Sequence, residues 1–179
     1  QLQMRLLPFD NDLRHRIHVP YNPEYPSIFK KVAEYVESKL PSVKLIHIGS
    51  TAIFGISGKP MIDAIAITQA DLRKTQCEFM MIGFFRRDVW TDLDEKPYVC
   101  ASIEHGQNRY NFNIHICKTG DSNHKDFVAF RDLLNINSTL RDEYQKAKML
   151  AHDMDPEDPQ RYNQLKGPAI KKIMETINL

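Results

Sequence analysis

The sequence contains no apolar run approaching the roughly 20 residues that span a bilayer. Its opening residues, QLQMRLLPFD, mix polar and charged groups with apolar ones and contain no signal-like apolar core. Neither membrane insertion nor secretion is expected. Cysteine is scarce: Cys77, Cys100 and Cys117 are odd in number, widely spaced and without a CxxC pair. That excludes a disulfide framework and a zinc-binding spacing, and it implies reduced thiols in a cytoplasmic protein. No G-x-S-x-G elbow and no P-loop occurs, and no cysteine has the context of a nucleophile. An excess of one charge is missing as well, since the formal net charge is +1. A broad basic face for duplex nucleic acid is therefore not expected, although a local basic cleft is compatible with that balance.

What is present is an ordinary globular composition, 42% hydrophobic and 26% charged. A chain of 179 residues suits a single domain spanning 1–179. No internal repeat and no low-complexity linker divides it. Two apolar runs stand out, Leu45–Ile48 and Met61–Ile67, and both read as buried strands. Between them lie Gly49, Ser50, Thr51, Gly55, Ser57, Gly58 and Pro60, a segment of small and turn-forming residues.

The remaining pattern is mixed. Residues 1–15 read as a peripheral arm and Arg16–Val19 as a short edge strand. Apolar residues at helical spacing predict a helix over Ile28–Leu40, entered through Pro23 or Pro26. Thr68-Gln69-Ala70-Asp71 predicts a capped helix start, with the helix running to about Ile82 and closed by Gly83. Phe84–Trp90 reads as a strand followed by an acidic loop containing Asp88 and Asp92. Tyr98–Glu104 and Tyr110–Cys117 form a predicted hairpin around His105-Gly106-Gln107-Asn108. Its second strand alternates an apolar face with a polar face of Asn111, Asn113, His115 and Cys117, which either lines a cleft or faces solvent. Three helices are predicted beyond Gly120: Lys125–Leu134, Thr139 to about His152, and Asp158-Pro159 to about Ile177. The expected fold is α+β: a mixed sheet core with two helices at about 16–120, and a helical C-terminal unit at about 121–179 packed on it.

A buried carboxylate is costly unless it is paired, hydrogen-bonded or bound to a cation, and Asp63 sits inside an apolar strand. It is the main site candidate, as a ligand for Mg²⁺ or Mn²⁺. The structural alternative is an Asp bonded to the Gly-Ser turn. Gly49, Ser50 and Thr51 are candidates to hold a phosphate through turn N–H groups and hydroxyls, against the plainer reading of a tight turn. Lys59, just before the strand, is placed to neutralise that phosphate or to be a solvated loop lysine. His47 and His115 lie on strands, where a histidine coordinates a metal, moves a proton or is simply a hydrogen-bonded structural residue. Glu104, Asp88 and Asp92 are candidates for a second metal ligand. The aromatic residues Phe84, Phe85, Trp90, Tyr98 and Tyr110 are expected in core and rim; they are also able to stack a base.

The pieces Pro20-Tyr21-Asn22-Pro23, His47-Ile48-Gly49-Ser50-Thr51-Ala52, Lys59-Pro60-Met61-Ile62-Asp63 and Asn113-Ile114-His115-Ile116 resemble the GrpB family, as do Phe130-Arg131-Asp132 and Tyr162…Lys166. The resemblance spans about 16 to 175. It implies the polymerase-beta-like fold of the nucleotidyltransferase superfamily, whose pattern is Gly-Gly or Gly-Ser, a spacer, then Asp-x-Asp or Asp-x-Glu. Asp63 then anchors a metal for nucleotidyl or phosphoryl transfer, with His115 or Glu104 completing the shell. Arg131 and Lys166 become candidates to reach a bound anion from the C-terminal helices. Structural readings compete: the alternative for Arg131 is an ion pair with Asp132 or another acid, and for Lys166 the structural role is preferred. Tyr162 is expected to pack at the helix–sheet junction.

This chain departs from the superfamily pattern at Ile65, where the second acid belongs. The third acidic position falls on a strand offering Asn113 and His115. Two-metal phosphoryl transfer needs several carboxylates. The expected ligand is a nucleotide or other phosphorylated small molecule. The alternative is an accessory or regulatory module that has lost catalysis, with a protein partner, in keeping with family members that resemble partners fused to a coenzyme A biosynthesis kinase. A phosphohydrolase using His47 and His115 on a transition metal is a third reading.

Overall fold

The computed structural model describes residues 4–15, 19–86 and 96–178. Among the described residues five strands form one mixed sheet: β1 (Lys44–Ile48), β2 (Met61–Thr68), β3 (Phe85–Arg86), β4 (Tyr98–His105) and β5 (Asn108–Lys118), in the spatial order β1-β2-β5-β4-β3. Only β2 and β5 run parallel; the other neighbours are antiparallel. The most apolar strand, β2, is thus flanked on both edges. The described residues also form five α-helices: α1 (Tyr25–Lys39), α2 (Leu72–Met81), α3 (Ser122–Ile136), α4 (Ser138–Met154) and α5 (Pro159–Ile177).

Strand alternation separates two layers. Ile62, Ala64 and Ala66 of β2 join Phe112, Ile114 and Ile116 of β5 against Ile28, Val32 and Val36 of α1 and Phe79 of α2. A second apolar cluster forms on the helical side, where Ile53 and Ile56 of the β1–β2 connection meet Leu134, Tyr144 and Ile173. Each predicted helix is present. Helix α5 keeps its cap, with the Asp158 carboxylate accepting from the N–H groups of Gln160 and Arg161, and it continues through Pro168. The hairpin is tighter than expected. His105 pairs with Asn108, so only Gly106 and Gln107 form the turn, with Gly106 at φ 61°.

The N-terminal arm is tied to the sheet at several points: Leu7 bridges Ser102 beyond the short β3, the Pro8 carbonyl accepts from Ser102 Oγ and Arg109, and the Asn111 side chain bonds the Asp10 backbone at both N–H and C=O. Of the Arg16–Val19 strand only Val19 is described, and it makes a single bridge to Gly58. The expected Phe84–Trp90 strand is Phe85–Arg86 as far as it is described; Trp90, Asp88 and Asp92 lie outside the described residues. Among the described residues no helix is long and apolar enough to cross a membrane.

The start of α2 is set by Asp71, whose Oδ1 accepts from the Lys74 N–H at 2.8 Å. Asp71→Ala should cost about 1 kcal/mol, the usual worth of an N-cap. Urea unfolding measures this, and an unchanged midpoint would show that tertiary packing alone sets the helix start.

Candidate functional site

Asp63 sits on β2 with Ile48 opposite it on β1 and Asn113 beside it on β5. Its neighbours along the strand, Ile62 and Ala64, point into the apolar layer and are fully buried. Alternation therefore turns Asp63 toward the helical layer. There it forms part of the floor of a cleft of about 680 Å³ between the sheet and α3–α5. Protein surrounds the carboxylate except where it meets that cleft, and burial pushes its pKa up to about 6. Lys166, a hydrogen bond from Asn113, Lys59 and Lys148 all oppose that rise.

The Gly-Ser turn is fitted against this carboxylate. Gly49 has φ 75°, and a Cβ there would stand 2.8 Å from Asp63 Oδ2. Ser50 opens a short 3-10 turn, Ser50–Ala52. Its Oγ and the Nζ of Lys148 converge on Gly58, where a Cβ would lie 2.8 Å and 3.2 Å from them. Lys148 also donates to the Ser57 carbonyl at 2.8 Å. The helices clamp the rest of the connection through its backbone. Asn135 accepts from the Phe54 N–H and donates to the Ala52 carbonyl, both at 2.9 Å. Gln145 accepts from the Ser57 N–H at 3.2 Å.

Three lysines reach the acid from three segments. Lys59 precedes β2, Lys148 lies on α4 and Lys166 on α5, and all line the cleft. Lys59 and Lys166 stand 5.9 Å and 4.8 Å from the Tyr162 ring centroid, and Lys148 lies 5.6 Å from that of Tyr144. Lys148 is 6% exposed. Burial, reinforced by Lys166 and Lys59, pushes its pKa down to about 7 despite the pull of Asp63. Burial and Lys59 lower Lys166 also. Lysines that depress one another in this way form a concentrated positive site.

The opposite wall is aromatic, with Phe9, Tyr98, His115, Phe127 and Phe130. His115 stacks on Phe127 with centroids 6.3 Å apart and lies 5.8 Å from Tyr98. Burial lowers its pKa, so the ring is neutral near pH 7. Asn113 Oδ1 is buried and has no hydrogen-bond partner. Asp126 is exposed at the rim on this aromatic side.

Asp63, Gly49, Ser50, Lys59 and His115 thus share one concavity, joined by Asn113 and Lys166. Other candidates lie elsewhere. Thr51 is 2% exposed and its Oγ1 bonds His47 Nε2 at 2.8 Å, so its hydroxyl is not presented to a phosphate. His47 pairs with Ala64, which puts it on the other face of the sheet from Asp63. It stacks on Phe29 at 4.7 Å, and burial, with Arg131, pushes its pKa down to about 4. A metal site shared by His47 and His115 is excluded, because the sheet separates them. Arg131 spends its guanidinium on structure, donating to the His47 carbonyl at 2.8 Å and pairing with Asp132 at 2.8 Å. Glu104 does not complete a metal shell. It pairs with Arg109, four residues along β4 from Cys100, the residue opposite Asn113, which places it about 13 Å away along the strand. It lines a separate cavity of about 510 Å³.

The donor set does not fit a pair of divalent ions. One carboxylate faces three ammonium groups, and the further acid positions hold Asn113 and a fully buried Ile65. Among the described residues no three His, Cys, Asp or Glu side chains gather as metal ligands.

Sequence reasoning missed Lys148 and Tyr144. The signal was their spacing: Tyr144, Lys148 and Ala151 share the buried face of α4. A lysine on an apolar helical face needs an explanation in the same way as an Asp in an apolar strand.

Comparison with known proteins bears on this arrangement. The model of the GrpB protein family matches residues 17–176. A UPF0157 protein from Halalkalibacterium halodurans is 25% identical over 162 residues, covering 88% of this chain and 80% of that protein. The crystal structure of the conserved protein GrpB from Enterococcus faecalis superposes with a TM-score of 0.71 at 22% identity, over 91% of this chain and all of that one. The GLD-2/RNP-8 complex gives a TM-score of 0.53 at 8% identity over 94% of this chain and 64% of that one, a likeness of fold alone.

Proposed function

The chain belongs to the GrpB family, with an α+β fold of nucleotidyltransferase type, and from its cleft we propose that it binds a nucleotide or other phosphorylated small molecule. One observation carries this: Lys59, Lys148 and Lys166 converge beside Ser50 on a single carboxylate in a pocket walled by aromatic rings. Cations that repel one another and are kept from water are stabilised when an anion enters. The phosphate end lies at the lysines and the Ser50 hydroxyl. A planar group fits the Tyr98, His115 and Phe127 side, where rings stack on bases of any sequence. Asn113 Oδ1, a buried acceptor, suits a ligand N–H or O–H. The volume of about 680 Å³ falls within the range of small-molecule sites.

Calorimetric titration with the four ribonucleoside triphosphates and inorganic phosphate tests the reading. Wild type should bind at least one of them saturably. Lys166→Ala should weaken that binding by at least about tenfold, the equivalent of about 1.4 kcal/mol. Absence of binding across the panel would sink the proposal.

Ile65 and Asn113, at positions where metal-dependent transfer needs acids, favour a second reading in which the site binds without turning over and the protein is an accessory or regulatory module with a protein partner. Turnover of a bound nucleotide by the unmodified protein would refute it.

A further inference from the structure

We infer that the ammonium groups of Lys59, Lys148 and Lys166 replace divalent cations, so that the cleft takes up a polyphosphate without any metal. This rests on the phosphate-binding reading above and concerns how the charge of the ligand is balanced.

The charges favour it. With an anion bound and Lys148 protonated, three ammonium groups and Asp63 leave a formal +2 at the polar end of the cleft, away from Asp126 at the rim. That equals one divalent cation, already built into the chain. A further dication at Asp63 would face three like charges and find one carboxylate. At the positions where an added metal would need further carboxylates, one residue is the fully buried Ile65 and the other is Asn113, which offers a neutral amide oxygen and no charge.

The geometry also favours it. Lys148 is buried on a helix and tied at 2.8 Å to the Ser57 carbonyl. Its ammonium group therefore stands close to Ser50 before any ligand arrives. Lys59 and Lys166 flank the Tyr162 ring from a loop and from α5. Cations placed in advance lose little freedom on binding, which is the advantage a bound metal otherwise supplies. Asp63 then acts as a counter-charge that keeps three ammonium groups together in the empty site.

The roles of metal ligand and counter-charge predict opposite effects at Asp63. Inorganic tripolyphosphate and ATP should be titrated into the protein in EDTA and again in excess Mg²⁺. The expected result is binding in EDTA, weakened several-fold by Mg²⁺, which removes charge from the ligand. Asp63→Asn should tighten binding in EDTA several-fold, and Lys148→Met should weaken it at least tenfold. Binding only in Mg²⁺, or loss of binding in Asp63→Asn, would overturn the inference and leave the phosphate-binding proposal standing. Absence of binding under both conditions would remove both. Circular dichroism of each variant separates loss of a contact from loss of fold, and Asp63→Asn, which removes a buried charge and changes no volume, is the variant expected to fold best.

Discussion

Lys148→Met should make the free protein more stable by about 3 kcal/mol at neutral pH while depriving it of its anion. A lysine held at about 7 in the fold and at 10.5 when unfolded carries a penalty of roughly 5 kcal/mol at about 1.36 kcal/mol per pH unit. The sign follows from proton counts. Between about 7 and 10.5 the unfolded chain binds the extra proton, so stability falls as pH drops through that window. The full penalty applies below about 7 and none remains above about 10.5. Methionine removes the charge and keeps an unbranched chain of similar volume. Two losses offset part of the gain. The Ser57 carbonyl loses its donor at 2.8 Å, at a cost of about 1–2 kcal/mol. Asp63 also loses one of the cations that opposes its rise. Urea unfolding at pH 6.5 and pH 10.5 is the measurement. The variant should be the more stable at the lower pH and about 1–2 kcal/mol less stable at the higher, where only the lost hydrogen bond to Ser57 remains. A variant less stable at pH 6.5 would show that Lys148 is a structural residue and would remove its role as a poised cation.

Gly49→Ala is expected to act in the opposite direction and as strongly, destabilising by about 3–5 kcal/mol. At φ 75° and ψ −172° the backbone occupies a region essentially reserved for glycine, worth about 1–3 kcal/mol against any other residue. The added Cβ would also meet Asp63 Oδ2 at 2.8 Å and Asp63 Cβ at 3.1 Å. Relief by movement is blocked, because β2 is paired on both sides and Asp63 has neighbours in each partner strand. Overpacking of that kind adds about 1–3 kcal/mol. For a chain of this length the melting temperature should fall by roughly 10 °C. Gly106→Ala is the control: φ is 61°, but nothing lies within 4 Å of the new Cβ, so only a backbone cost of about 1 kcal/mol is expected. Equal shifts for the two variants would show that contact with Asp63 contributes nothing.

The secondary-structure elements and the central acid are legible in the chain before it folds. Apolar periodicity marked β1, β2, β5 and the five helices of the described residues, and the Asp158 cap placed the start of α5; the box read at Thr68–Asp71 lay three residues early, because Thr68 ends β2 and Asp71 itself is the cap. An Asp amid β-residues and a Gly-Ser turn were visible as a candidate site, because burying a carboxylate has a cost that any reader of the chain can estimate.

Which residues meet depends on strand register and helix packing. Alternation fixes side-chain parity within one strand, but register fixes it between strands, and here it sets His47 against Ala64 and Asp63 against Ile48. Histidine and acid therefore fall on opposite faces. Thr51 follows His47, Arg131 spends its donors on the His47 carbonyl and Asp132, and Glu104 lies about 13 Å from Asp63 along the sheet. Lys148 and Lys166 lie more than eighty residues beyond Asp63, and nothing local indicates that α4 and α5 close over β2. That closure comes from burying Leu134, Tyr144 and Ile173 against Ile53 and Ile56, a non-local hydrophobic contact that sequence spacing does not encode.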